Sequence, residues 1–382
     1  MKKIVSKTLC TGCGCCYNIC PKGAISMVMD REGFKYPKID YKKCVNCGLC
    51  KRKCPVLAFD KNKALNECYV AYNINNKILM SSSSGGIFYI IASIVLDSGG
   101  IVIGAAFDDN WNLIHTIVDN KNDLLSLMGS KYLQSDLKNI YKEVKEAVQS
   151  KKVLFVGTPC QVAGLKSYIG VDNENLICID LVCHGVPTFK LFNKYVKELE
   201  IKNNDVLKKY NFRDKSSGWD NYSVSVDFEK ESKKNLARND VYMKLYLSNL
   251  ALRESCYNCK FKLGNKYSDI TLGDYWGVKK FHEDMYNKNG VSAIIINTQK
   301  GSKIFEKIKK NIKYDKTSID KIVFGNSCLK NSCSRSSKRE MFLNDINNYS
   351  CSDLCKKYCK IPFYKKVIVK LKSIIRCIFY KI

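Results

Sequence analysis

The 382-residue sequence has no apolar run approaching the roughly 18 residues of a membrane-spanning helix; its longest, Ile87 to Leu96, is closed by Asp97. No apolar h-region precedes the first cysteines, so no secretory signal peptide is expected and the chain reads as cytoplasmic. Acidic residues are scarce: 36 Asp plus Glu stand against 64 Lys plus Arg, a formal net charge of +28. That surplus suits an acidic protein partner, an anionic membrane or nucleic acid. The basic residues are scattered, without an aromatic-interleaved groove motif, and this sets nucleic acid aside. What abounds is cysteine, 21 residues. In a chain that is not secreted, cysteine points to metal or redox chemistry rather than a disulfide scaffold. With 46% hydrophobic residues the chain can build sizeable cores in two or three domains, and disorder is excluded as its dominant state.

The cysteines at the start are patterned. Cys10, Cys13, Cys16 and Cys20 precede Pro21; Cys44, Cys47, Cys50 and Cys54 precede Pro55, each 34 residues after its counterpart. This duplicated C-x2-C-x2-C-x3-C-P run is the pattern of bacterial two-cluster ferredoxins. Two-residue gaps bring three thiolates of one loop to one 4Fe-4S cubane, and the three-residue gap aims the fourth at the neighbouring cubane. Cys10, Cys13, Cys16 and Cys54 are therefore assigned to one cluster, and Cys44, Cys47, Cys50 and Cys20 to the other. Cys15, whose repeat counterpart is Leu49, reads as a spare thiol. A pair of zinc knuckles is the alternative, and the clean repeat with its two prolines weighs against it. An α+β, ferredoxin-like two-cluster domain is expected over 1–62.

After Asn66 the texture changes. Ser81–Gly86 is a Ser/Gly loop ahead of Ile87, Ile90, Ile91, Ile94 and Val95 at helical spacing. Its N–H groups and hydroxyls suit a phosphate, although an ordinary cap reads the same way. Ile101–Phe107 and Leu113–Val118 read as a hairpin, and a helix carrying Leu137, Ile140, Tyr141, Val144 and Val148 follows. Val153–Val156 and Leu176–Val182 are short buried strands separated by a helix, which implies a parallel pair. Cys160 and Cys183 then follow strand C-termini on one sheet edge, where open α/β sheets bind ligands. Cys256 and Cys259 form a lone C-x2-C that completes four thiolates. From spacing alone a third cluster, a zinc site and unrelated thiols all stay open.

Several motifs occur in one order: the Ser/Gly loop, Gly129-Ser130-Lys131-Tyr132, Gly157-Thr158-Pro159-Cys160-Gln161, Cys183-His184-Gly185, Arg253 with Cys256 and Cys259, and Asp269-Ile270-Thr271-Leu272-Gly273-Asp274-Tyr275-Trp276-Gly277. Together they resemble the beta-subunit family of coenzyme F-420 hydrogenase and dehydrogenase, over roughly residues 66 to 345. The resemblance implies an iron–sulfur flavoprotein with an α/β domain on a mixed, partly parallel sheet, divided here as 66–150 and 151–325. It implies a third cubane on Cys160, Cys183, Cys256 and Cys259. It also implies FAD near Ser83, Ser84, Gly85, Gly86, Lys131 and Thr158. Reduced ferredoxin would feed electrons through the clusters to FAD and on to a dissociable small molecule, coenzyme F-420 or a polysaccharide-pathway metabolite. The alternative is a non-catalytic electron-transfer subunit of a larger complex.

Individual roles follow as expectations. Lys131 would stabilise negative charge at the flavin ring or a phosphate, against a plain surface lysine. His184, beside a presumed ligand, would bond a sulfur or relay a proton, against a capping histidine. Lys131 and His184 are the two catalytic candidates. Asp274 and Trp276 are expected to fix a turn, and His115 to be packed. Residues 326–382 read as a basic helical tail in which Cys351, Cys355 and Cys359 drift round one face, as packing or, less readily, a metal site. Residues 361–382 fit an interfacial helix on an anionic membrane or a helix docked on the body or a partner.

Overall fold

The computed structural model describes residues 3–58, 65, 67–263 and 267–359. Its strands are β1 (Ile25–Met29), β2 (Lys35–Ile39), β3 (Glu67–Asn73), β4 (Ile101–Phe107), β5 (Leu113–Val118), β6 (Val153–Gly157), β7 (Leu176–Leu181), β8 (Leu207–Asp214), β9 (Ser223–Phe228), β10 (Ser232–Leu236), β11 (Ile270–Asp274), β12 (Ser292–Ile296) and β13 (Ile312–Thr317).

The first unit is the antiparallel β1–β2 hairpin with a cysteine loop and short helix beside each strand. Both loops turn at a glycine with positive φ, Gly14 (74°) before helix Cys15–Ile19 and Gly48 (70°) before helix Leu49–Arg52. The two glycines are 34 residues apart, so the repeat extends to the backbone. A side chain there would oppose the left-handed turn that folds the loop inward.

The body is an eight-stranded sheet in the order β13-β3-β12-β11-β7-β6-β4-β5. The central β4, β6, β7 and β11 run parallel. β5 closes one edge antiparallel, and β12, β3 and β13 extend the other antiparallel. Alternation in the parallel strands sends Val102 and Leu154 to one face, against helix Ile87–Asp97. Ile103 and Phe155 go to the other, against helices Ile140–Ala147 and Pro159–Ile169. Burial on both faces is why these strands read as largely apolar runs. The expected hairpin, parallel pair and mixed sheet are present, though Leu137 lies ahead of its helix, which starts at Ile140.

The sequence did not announce the antiparallel sheet β10-β9-β8. It packs with helices Phe189–Asn203, Val241–Leu247 and Cys351–Tyr358 around Phe192, Tyr210, Phe212 and Tyr242. Cys351 is buried in this core, and Cys355 and Cys359 pack against it, so the three spaced cysteines serve packing. Residues 361–382, with Cys377, lie outside the described residues, as does the interfacial-helix expectation. Among the described residues no helix is long and apolar enough to cross a membrane.

The ferredoxin-like unit is clamped to the body. Ser167 Oγ donates to Lys53 O at 2.8 Å, Asn18 Nδ2 to Lys138 O at 3.0 Å, and Arg339 pairs with Glu32 at 2.8 Å. A Cβ on Gly164 would stand 3.0 Å from Cys13 Cβ and 2.7 Å from the Tyr141 hydroxyl, so only glycine lets helix Pro159–Ile169 approach the first cysteine loop this closely.

Candidate cluster and flavin sites

Cys10, Cys13, Cys16 and Cys54 line one void of the first unit; Cys20, Cys44, Cys47 and Cys50 line another. Each fourth thiol thus stands with the other repeat. Burial pushes the Cys16 and Cys50 thiols up, and repulsion from Cys10, Cys54 and Cys20 adds to it. Sets of this kind do not ionise together unaided; a bound cluster that takes the thiolates supplies the missing positive charge. Ala24 N–H donates to Cys20 Sγ at 3.3 Å, a bond of the kind that tunes cluster potential. Cys15 lines the first void, and its thiol donates to Lys53 O at 3.1 Å.

The third set comes from three distant segments. Cys160 is the second residue of helix Pro159–Ile169, directly after β6. Cys183 lies two residues past β7, Cys256 in the 3-10 turn Glu254–Asn258, and Cys259 just after it. The four line one small void with Thr11, Arg253 and Lys262. Burial pushes Cys160 up to about 11 and Cys256 to about 12, and raises Cys183 well above the usual thiol range, with its three partners adding repulsion. Among the described residues no three or more His, Cys, Asp or Glu side chains converge to hold a single metal ion. A zinc needs its sulfurs about 2.3 Å from one point, whereas a cubane fills a space between them. The Thr11 hydroxyl is buried without a partner between the first void and the third, so it is free to donate to a cluster sulfur. The residues present therefore fit three four-thiolate clusters.

A larger pocket, about 2090 Å³ counting its open mouth, lies at the carboxyl ends of β6, β7 and β11. Ser83, Ser84, Gly86, Lys131, Thr158 and His184 line it; Gly85 does not. Gly85 faces the sheet, where a Cβ would meet Ala71 O at 2.5 Å and Ser292 N at 2.7 Å. It seats the Ser/Gly loop against β3 and β12 rather than facing a ligand. Ser83 Oγ accepts from Ser130 N at 2.6 Å and keeps its own proton to donate. Lys131, half-buried, donates to Met128 O at 2.8 Å, and burial holds its ammonium down to about 7. An anion beside it would restore the charge. The loop hydroxyls, the N-terminus of helix Ile87–Asp97 and Lys131 suit a phosphate, and the long apolar remainder suits a ring system.

His184 bonds Asn249 Oδ1 through Nε2 at 2.6 Å and lies beside Cys333, whose thiol donates to His184 O at 3.0 Å. His115 is packed, as expected. Its Nε2–H donates to Val156 O at 3.0 Å and its Nδ1 accepts from Ser135 Oγ at 2.8 Å. Burial holds it near 4, hence neutral.

Sequence reasoning missed Arg213 and Lys215. Arg213 makes a forked pair with Asp274 at 2.8 and 3.1 Å and lies over the Tyr222 and Trp276 rings. Asp274 also accepts from Trp219 Nε1 at 2.7 Å, and Trp219 stacks on Trp276 at 4.6 Å. Asp274 and Trp276 thus do more than shape a turn: they form a pocket wall. Lys215 Nζ donates to Leu79 O and Ser84 O, bracing the Ser/Gly loop from beneath. No spacing in Arg213-Asp214-Lys215 sets it apart from a charged loop. Replacing Arg213 with Ala leaves the half-buried Asp274 with Trp219 Nε1 but without its counter-charge, and is expected to cost about 3 kcal/mol, the lower end for a broken buried pair, read as a lower urea midpoint.

Residues 150–322 match the model for the C-terminal part of the coenzyme F420 hydrogenase/dehydrogenase beta chain, and residues 9–58 match a 4Fe-4S dicluster domain. An uncharacterised protein of Methanocaldococcus jannaschii is 25% identical over 80% of this chain and 95% of its own length. The F(420)H(2) dehydrogenase of Methanosarcina mazei has a subunit that is 22% identical over 80% of this chain and 84% of its own. The coenzyme F420-dependent sulfite reductase of M. jannaschii is 24% identical over 80% of this chain but only 46% of its own length. A chain of the F420-reducing [NiFe] hydrogenase complex of Methanosarcina barkeri aligns at a TM-score of 0.47 and 18% identity, over 78% of this chain and 92% of that one. The chain thus joins a 4Fe-4S dicluster domain over residues 9–58 to a body that matches the C-terminal family of the coenzyme F420 hydrogenase/dehydrogenase beta subunit over residues 150–322.

Proposed function

We propose that the chain is a three-cluster iron–sulfur flavoprotein oxidoreductase. It would pass electrons from a reduced ferredoxin to FAD in the large pocket, and on to coenzyme F420 or a polysaccharide-pathway metabolite. The observation that carries this reading is a chain of shared walls. Thr11 belongs to the first and third voids; Thr158, Cys183, His184 and Cys328 belong to the third void and the large pocket. Bound clusters and FAD would together supply one-electron relay and two-electron delivery.

The chain's own residues divide the work. Cys47 is exposed, and Lys42, Lys43, Lys51 and Arg52 stand exposed around it, a basic entry for an acidic donor. Such a patch speeds docking more than it tightens it. Ser83, Ser84, Gly86 and Thr158 bind and orient the flavin. Lys131 holds a proton at Nζ for the charge that develops on the ring or for a phosphate.

Anaerobically purified protein should hold about twelve irons per chain, four per cubane, and release about one flavin on denaturation. About eight irons with one zinc would remove the third cluster, and failure to take up flavin would remove the pocket assignment. A second reading, an electron-transfer subunit, is favoured by the relative named as a subunit. Substrate-dependent dye reduction by the isolated chain separates the two.

A further inference from the structure

We propose that Arg253 is the shared counter-charge of two clusters: its buried guanidinium stands between the Cys10/Cys13/Cys16/Cys54 set and the Cys160/Cys183/Cys256/Cys259 set and raises the reduction potential of both. The inference rests on the three-cluster reading.

Arg253 is 1% exposed. Its Nη1 donates to Cys10 O at 3.1 Å, its Nη2 to Lys35 O at 2.8 Å and its Nε to Gln134 Oε1 at 2.9 Å. The rings of Tyr36 and Phe34 lie 4.5 and 5.1 Å away. Among the described residues every one of these partners is neutral, and Arg253 makes no ion pair. Burying a full charge without a counter-ion is costly, and folded proteins pair such charges. The third void is where the counter-ion belongs, because Arg253 lines it together with all four thiols. On the other side, a Cβ on Gly12 would stand 2.6 Å from Arg253 Nη2, so the first cysteine loop closes directly onto the guanidinium. That contact gives Gly12, with φ of 69°, a second reason to be glycine.

A four-thiolate cubane carries about −2 when oxidised and gains one more negative charge on reduction. A fixed cation in a dry site therefore stabilises the reduced form more than the oxidised one, and water does not screen it. Arg253 touches the first cysteine loop at Cys10 O and Gly12 but neither lines the void of Cys20, Cys44, Cys47 and Cys50 nor bonds their loops, so that cluster is an internal reference. Arg253 is a positioning and tuning residue rather than a catalytic one. It holds the Cys10 carbonyl and raises two potentials together, which favours reduction of both by the outer cluster.

The test is a redox titration of the anaerobic, iron-loaded full chain followed by electron paramagnetic resonance. Arg253→Gln removes the charge. Gln134→Glu keeps the guanidinium but sets a carboxylate of similar volume against its Nε, and so serves if the first variant does not fold. Both are expected to shift the reduction equilibrium of two of the three clusters at least tenfold toward the oxidised form, 59 mV for a one-electron couple. The third midpoint should not move. Arg253→Lys should recover part of the shift. Unchanged midpoints in a variant that retains about twelve irons would overturn the proposal, as would an equal shift of all three clusters. A wild-type iron count near eight would instead strike the three-cluster reading, since the third midpoint would then not exist.

Discussion

A Cys54→Ser variant is expected to lose the cluster of the other repeat and spare its own. Iron should fall from about twelve to about eight per chain, and the two resonances that remain should belong to the set of Cys20, Cys44, Cys47 and Cys50 and to that of Cys160, Cys183, Cys256 and Cys259. The grounds are geometric. Cys54 follows Lys53 out of the second loop and stands in the void lined by Cys10, Cys13 and Cys16. Cys15 lines that void too, and its thiol reaches Lys53 O, so it is the ready substitute ligand. The double variant Cys15→Ala, Cys54→Ser closes that route. Flavin content should be unchanged, because the pocket is built from residues 82 onward. Reduction of the flavin by ferredoxin should fail, while a small dye that reaches the pocket mouth should still drive turnover. Loss of the resonance of Cys44, Cys47 and Cys50 instead would show that each repeat serves its own cluster.

The parts of this molecule that were legible in sequence are those held by local chemistry. The crossed thiol assignment needed only loop spacing, and the left-handed glycines Gly14 and Gly48 kept the repeat in register. Parallel strands β6 and β7 were legible because burial on both faces forces largely apolar runs, interrupted in β7 only by the buried Asp180. The third thiol set was half legible: Cys160 and Cys183 followed from strand ends, but the C-x2-C at Cys256 joins them only through folding across some 70 residues. Gly85 read as a ligand contact, yet its missing Cβ answers to Ala71 and Ser292, on two strands that no local pattern connects to it. Arg213, Lys215 and Arg253 were the hardest to assign. Each is a buried cation whose partners lie far away in sequence; Arg213 and Lys215 look there like any other of the 64 basic residues, and Arg253 stood out only as a neighbour of Cys256 and Cys259, with no sign of its burial. The β8–β10 sheet was partly legible: β9 alternates, with Val224, Val226 and Phe228 buried, a signal that was missed, whereas β10 is exposed along most of its length and carries no apolar alternation.

Removing Cys183 should produce the opposite lesion. Cys183 lines both the third void and the large pocket, so it stands where one becomes the other. In Cys183→Ala about eight irons should remain, both N-terminal clusters should reduce normally with ferredoxin, and the flavin should stay oxidised on the time scale of wild-type turnover. Cys328 lines the same two spaces and is the thiol placed to replace Cys183, so Cys183→Ala, Cys328→Ala is the stricter variant. Flavin binding should persist, since Ser83, Ser84, Gly86 and Lys131 are untouched, and photoreduced dye should still reach the ring. The two lesions therefore differ in where electrons stop: before the first unit's inner cluster in Cys54→Ser, and after it in Cys183→Ala. Stopped-flow absorbance separates them, because ferredoxin should bleach a single cluster in the first variant and both N-terminal clusters in the second, with the flavin unchanged in each. Ferredoxin-driven flavin reduction at the wild-type rate in the Cys183 variant would place the third thiol set off the path and leave it a structural centre.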